Sequence, residues 1–169
     1  SERVMGYQLI ETIEVGSGGA SSIEFTGIAG TGQDLVILWS LRNTTNNATG
    51  SLTINGSDAD RAWIILYGTG NGSGTNAYTS SNISAMQVEN ADTANTFSNG
   101  QLYISNYASS ANKSMSVDSV TENNGTVAQS VLQAISWAQT AAITSLGVNA
   151  RSGNLAEFSS ASLYMITAD

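Results

Sequence analysis

Apolar positions recur along the chain in two patterns. In Ser51-Leu52-Thr53-Ile54-Asn55 they alternate with polar residues, whereas in Asp34-Leu35-Val36-Ile37-Leu38-Trp39-Ser40-Leu41 they run together. Alternation puts one face of a strand in the core and the other in water, and an unbroken run of this length fits a central strand covered on both faces. Read this way, the chain offers strand candidates at 7–15, 22–26, 34–42, 51–55, 61–67, 82–88, 101–107, 114–122, 131–137, 143–148 and 162–167. Gly, Asn, Ser and Asp clusters separate them, including Gly16-Ser17-Gly18-Gly19, 27–32, 43–50 and 122–126. Asn124-Gly125 is the dipeptide that accepts positive φ at both central positions of a tight hairpin turn, and predicts a hairpin there. Residues 127–142 also fit a 3.6-residue period through Val127, Val131, Leu132, Ile135, Ala138 and Ala142, so helix competes with strand; strand is favoured.

About eight to eleven short strands without a βαβ rhythm predict an all-β chain, an antiparallel sandwich of jelly-roll type. A length of 169 residues suits one domain. Residues 1–6 have no periodicity of their own and read as an N-terminal arm, followed by a single β-sandwich domain over 7–169.

The stretch Tyr67-Gly68-Thr69-Gly70-Asn71-Gly72-Ser73-Gly74, directly after an apolar run, stands where a nucleotide-binding fold places a phosphate loop. Its glycines do not make G-x-G-x-x-G, and no Lys follows to complete a Walker motif. It reads as a long connection at one end of the sandwich, and no cofactor is expected.

Composition narrows the function. Hydrophobic residues make up 41% of the chain and charged residues only 11%, so its polarity rests on Ser, Thr and Asn, about a third of all residues. Five basic residues against thirteen acidic ones, the basic ones scattered, leave no stripe with which to bind nucleic acid or an anionic membrane. No apolar run reaches the ~20 residues of a membrane span. The absence of histidine and cysteine removes the commonest general base, nucleophile arrangements and metal ligands, and makes enzymatic activity a minority expectation. Asp58 and Asp60 resemble the start of a calcium loop but lack its later Gly and Glu, and read as solvated turn residues. A glycosidase pair would have to come from distant acids among Glu11, Glu14, Glu24, Asp118 and Glu122. Trp39, Trp63 and Trp137 with Tyr103, Tyr107 and Tyr164 would make a sugar-stacking platform, but each lies in an apolar run and reads as core. The chain has no proline and one lysine, the residues that commonly guard exposed sheet edges, so its edges are expected to be covered by neighbours.

Three stretches, YQLIETIEVGSGGASSIEFTGI from Tyr7, DTANTFSNGQLYISNYASSANKSMSVDSVTENN from Asp92 and SSASLYMIT from Ser159, resemble small virion structural proteins of tailed bacteriophages, notably phages of marine and freshwater bacteria. The resemblance implies a β-sandwich or jelly-roll module and, among such proteins, a capsid decoration (cement) protein that binds the exterior of the assembled shell as a trimer. Its implied partners are the major capsid protein and copies of itself, with no nucleic acid and no membrane. Synthesis in the host cytoplasm and residence on the virion follow. The alternative is the tip of a tail fibre or tailspike holding a host-surface glycan. Contacts are expected on the arm, at Arg3, Val4 and Met5, with Arg3 anchoring a carboxylate, and on the glycine-rich loop at Gly70, Asn71 and Gly72.

Overall fold

The computed structural model describes residues 5–69, 73–78, 82–83, 86–122 and 128–168. Within them the chain forms twelve strands and no helix. These are β1 (Met5–Glu14), β2 (Ser22–Phe25), β3 (Asp34–Ser40), β4 (Gly50–Ile54), β5 (Arg61–Gly68), β6 (Ser73–Tyr78), β7 (Asn82–Ile83), β8 (Asn99–Ile104), β9 (Lys113–Glu122), β10 (Ala128–Trp137), β11 (Leu146–Ala150) and β12 (Ser160–Ala168). An eight-stranded sheet runs β1-β12-β3-β8-β9-β10-β5-β6 and a four-stranded sheet runs β2-β11-β4-β7, with every strand pairing antiparallel. The larger sheet therefore begins with the two ends of the described chain side by side, Met5 opposite Ala168.

One apolar cluster joins the two sheets. Ile23, Phe25, Leu52, Ile54, Ile83, Leu146 and Val148 from the smaller sheet share it with Ile37, Trp39, Leu102, Val117, Val131, Ile135, Trp137 and Leu163 from the larger. This is the sandwich that the alternating pattern predicts. β3 is a central strand between β12 and β8, as expected, with Leu35, Val36, Ile37 and Trp39 buried, but Leu38 on its outer face is 41% exposed. In β4, Leu52 and Ile54 point inward while Ser51 and Thr53 are half-buried. Residues 128–137 are strand and not helix: Val131, Gln133, Ile135 and Trp137 are buried in strict alternation, a period of two that overrides the weaker 3.6-residue fit. β9 and β10 pair along their full length up to Glu122 opposite Ala128. The expected Asn124-Gly125 turn lies outside the described residues.

Several expectations are corrected. Among the described residues there are twelve strands where about eight to eleven were expected, because Ser73–Tyr78, read as loop, forms β6 and pairs with β5 from Tyr78 opposite Trp63 to Ser73 opposite Gly68. An edge strand takes its stability from its one neighbour, so a Gly-Ser-Thr-Asn sequence suffices where a central strand would need apolar side chains. β1 starts at Met5, so two residues assigned to the arm belong to the sheet. Of the strand expected over 82–88, Asn82–Ile83 form β7, residues 84–85 lie outside the described residues, and Val88 makes an isolated parallel bridge to Arg42. That expected over 101–107 ends at Ile104, since Asn106 turns the chain with a positive φ of 49° and sends Tyr107 into the core. Eight strands facing four also differs from the eight-strand total of a simple jelly roll.

Trp39 sits directly opposite Gly100 in the β3–β8 ladder. A Cβ at Gly100 would come within 2.3 Å of the indole ring, so glycine there gives the ring its place against the neighbouring strand. The indole Nε1 has no hydrogen-bond partner, leaving packing alone to hold the ring. Gly100→Val is expected to cost ~2–3 kcal/mol by overpacking, read as a lower urea midpoint. An unchanged midpoint would mean that the indole finds another place without penalty.

Candidate functional site

The basic residues are the first surprise, because the sequence reads them as scattered charges and the fold buries three of them. Arg42 donates through Nη1 and Nη2 to the backbone carbonyls of Asn90, Asp92, Thr93 and Thr96 at 2.8–3.2 Å. Lys113 is 2% exposed, and its Nζ donates to the carbonyls of Ser109, Ala111 and Ala141 at 2.7 Å each, 5.6 Å from the Trp137 ring centroid. Burial lowers the Lys113 pKa below the ordinary lysine value. Arg61 donates through Nη1 to the Leu52 carbonyl, while its Nε and Nη2 find no partner; burial lowers its pKa and the charge of Asp58 opposes that. These cations bind the protein's own backbone.

What reaches water is therefore more acidic than the composition suggests. Glu11, Glu14, Glu24, Asp58, Asp60, Asp118 and Glu157 are exposed, against Arg151 as the exposed cation among the described residues. These acids are spread over both sheets and several loops. Glu24 and Asp118 lie on different sheets, Glu11 and Glu14 on the edge strand β1. Glu122 accepts from the Thr93 amide and from the hydroxyls of Thr93 and Thr96. With Glu89 and Asp92 it lines a depression of about 230 Å³, but Glu89 accepts from the Ala48 amide and Asp92 from the Glu89 amide, so these carboxylates tie loops together. Asp60, at a positive φ of 61°, accepts from the Gln139 side chain at 2.7 Å and is a turn residue. Among the described residues no three such groups come together as metal ligands.

The feature that stands out is the outer face of the eight-stranded sheet. On β5 and β10 the side chains pointing away from the core are Ile64, Leu66 and Leu132, 53–59% exposed, with Ala134 opposite Ile64 and Leu132 opposite Leu66. A shallow depression of about 430 Å³ opens beside them, lined by Leu66, Tyr67, Gly68, Ser73, Gly74, Ser130 and Leu132. The strands β5, β6 and β10 contain no charged side chain except buried Arg61. Further across the same face, the register aligns Ala134, Ser116, Tyr103, Val36, Tyr164 and Leu9 in one row. Tyr7, 67% exposed, meets Tyr164 edge to face, with ring centroids 6.3 Å apart.

Asp34, at the start of β3 and 3% exposed, accepts from the Tyr103 hydroxyl at 2.5 Å and from the Asn106 amide at 2.8 Å. That hydrogen bond, then burial, then the Asp34 charge push the Tyr103 pKa up to about 12 from 10.0. The folded chain keeps a proton that the unfolded chain releases near pH 10, so the contribution is complete below pH 10 and disappears as pH rises through about 12. Allowing for the ring's partial exposure, stability should fall by ~1–2 kcal/mol over that interval. Tyr103→Phe should remove this part of the pH dependence in urea titrations followed by circular dichroism; an unaltered slope would place the coupling elsewhere.

Of the contact residues expected from sequence, Arg3, Val4, Gly70, Asn71 and Gly72 lie outside the described residues, and the Met5 backbone is part of β1. Trp39, Trp63, Trp137 and Tyr107 are core, as expected, whereas Tyr103 and Tyr164 belong to the outer face. The signal was available: Leu102 and Ile104 flank Tyr103, and strand alternation that buries both turns Tyr103 outward. Compared with known proteins, the chain matches no family model, no curated protein and no solved structure.

Proposed function

We propose that this chain is a non-catalytic virion structural protein, a capsid decoration protein that binds the outside of an assembled phage shell and stabilises it. The observation that carries the reading is the uncharged, partly apolar outer face of β5 and β10 on an otherwise acidic domain whose Arg42 and Lys113 are engaged internally. Exposed apolar surface of this kind marks contact with other proteins. The resemblance to phage virion proteins supplies the identity of the partner, the major capsid protein. A molecule seated across joints between capsomers stabilises the assembled state by mass action, without chemistry of its own.

The test is to add purified protein to capsids that lack it. Saturable occupancy and a raised temperature of capsid disruption are expected. Absence of binding, or labelling of the tail in place of the shell, would overturn the reading. A second reading, a glycan-binding tail tip, is favoured by the exposed Tyr7 ring beside Tyr164, since aromatic faces stack on sugar rings. It requires Tyr7→Ala to abolish binding to host-surface polysaccharide.

A further inference from the structure

We infer that the outer face of β5 and β10 packs against the same face of a second copy of this chain, about a twofold axis. This goes beyond the capsid reading and holds whether or not the protein decorates a shell.

Charge selects the occupant. The chain carries a formal net charge of −8, and with Arg42, Arg61 and Lys113 buried, its exposed charges are dominated by carboxylates. Two copies meeting through Glu11, Glu14, Glu24 or Glu157 would bring like charges together, at a cost that grows as water is expelled. On β5, β6 and β10 there is no such charge to oppose. A basic partner would gain nothing on this face and would be drawn to the carboxylates elsewhere. A surface that is neutral on a strongly acidic molecule is thus electrostatically matched to itself.

Shape agrees with charge. Ile64, Leu66 and Leu132 stand up from the sheet, and Leu66 and Leu132 are directly opposite one another in the ladder. Next along the two strands the pair Gly68–Ser130 is small, and the depression of about 430 Å³ opens there. A ridge beside a hollow on one sheet is complementary to its own copy turned through 180°, which is the isologous arrangement of a twofold dimer. Sheets packed face to face lie ~10 Å apart, a spacing that leaves room for one interdigitated layer of aliphatic side chains. Asp118, the neighbour of Leu132 on β9, is exposed and marks where the apolar centre gives way to a charged rim.

Sedimentation of the intact protein over a concentration series tests the inference. A reversible monomer–dimer equilibrium is expected, with Ile64→Glu and Leu132→Glu each weakening association at least ~100-fold, because each places a carboxylate in the centre of the contact. Both positions are more than half exposed, so circular dichroism and the urea midpoint should show the variants folded. The chain has no cysteine, so a spin label on Ser116→Cys, one strand beyond Ala134, reports a single intermolecular distance in the wild-type background and none in the Glu variants. A monomer up to ~100 µM, a trimer, or a dimer indifferent to both substitutions would overturn the inference. Loss of capsid attachment in the Glu variants of a monomeric protein would assign the face to the shell, refuting self-pairing while supporting the capsid role. A dimer that never binds capsids would do the reverse.

Discussion

Replacing Arg42 with alanine is expected to lower the unfolding free energy by ~3–5 kcal/mol and to release the segment between β7 and β8. The guanidinium reaches four backbone carbonyls between Asn90 and Thr96, and the carboxylate of Glu122 holds the same turn through Thr93 and Thr96. Truncation strands several of these carbonyls at once, and an unmade hydrogen bond to a shielded group costs ~1–3 kcal/mol. Arg42→Lys should recover less than half of the loss, because an ammonium is a point donor and cannot span four acceptors with a planar fork. Urea denaturation measures the loss, and faster amide exchange over residues 89–98 locates it. A loss below ~1 kcal/mol for Arg42→Ala would mean that solvent replaces the guanidinium and that the turn is held by Glu122 alone.

Lys113→Ala is expected to cost about as much, ~3–5 kcal/mol, for a related reason. Three carbonyls, those of Ser109, Ala111 and Ala141, converge on one buried ammonium, so two separate loops lose their common donor together. Lys113 also stands directly opposite Trp137 in the β9–β10 ladder, with its Nζ 5.6 Å from the ring centroid, so truncation opens space beside that ring. Lys113→Met separates the two contributions: it restores the stem and leaves the carbonyls unpaired, so it should recover only ~1–2 kcal/mol. Full recovery with methionine would show that packing on Trp137 and not hydrogen bonding keeps a lysine here. Calorimetry of the three proteins at one pH decides it.

The alternation in β4 and the double-faced run in β3 made the sandwich legible, since both follow from which face of a strand meets water. β6 was not legible, because Ser73 to Tyr78 owes its strand form to β5, a partner the local sequence does not contain. The buried cations were hidden for a similar reason. Nothing in Leu41-Arg42-Asn43 or Asn112-Lys113-Ser114 tells a solvated charge from one that caps carbonyls more than forty residues away for Arg42. The outer face was half visible. Ala62-Trp63-Ile64-Ile65-Leu66 is as continuous as the apolar run of β3, and a second apolar face on a strand near the sheet edge signals either a covering layer or a contact surface. Only the sheet order shows that β6 flanks β5 and that, among the described residues, no helix covers this face.

The position of β12 in the larger sheet bears on how the chain folds during synthesis. β12 lies between β1 and β3, so the first strand has no sheet partner until the last has been made. At bacterial and eukaryotic translation rates, the interval between completing Glu14 and reaching Ser160 is roughly 10–30 s. Throughout it, β1 exposes Tyr7, Leu9 and an unpaired backbone edge on the nascent chain, and β3 lacks the neighbour that covers one of its sides. Completion of the larger sheet therefore waits on β12, and the pairing of strands so distant in sequence makes it slow. Chaperone demand in the producing cell should track the waiting time of β1: synonymous codons that slow elongation after residue 40 raise aggregation, and a circular permutant that joins β12 directly to β1 lowers it.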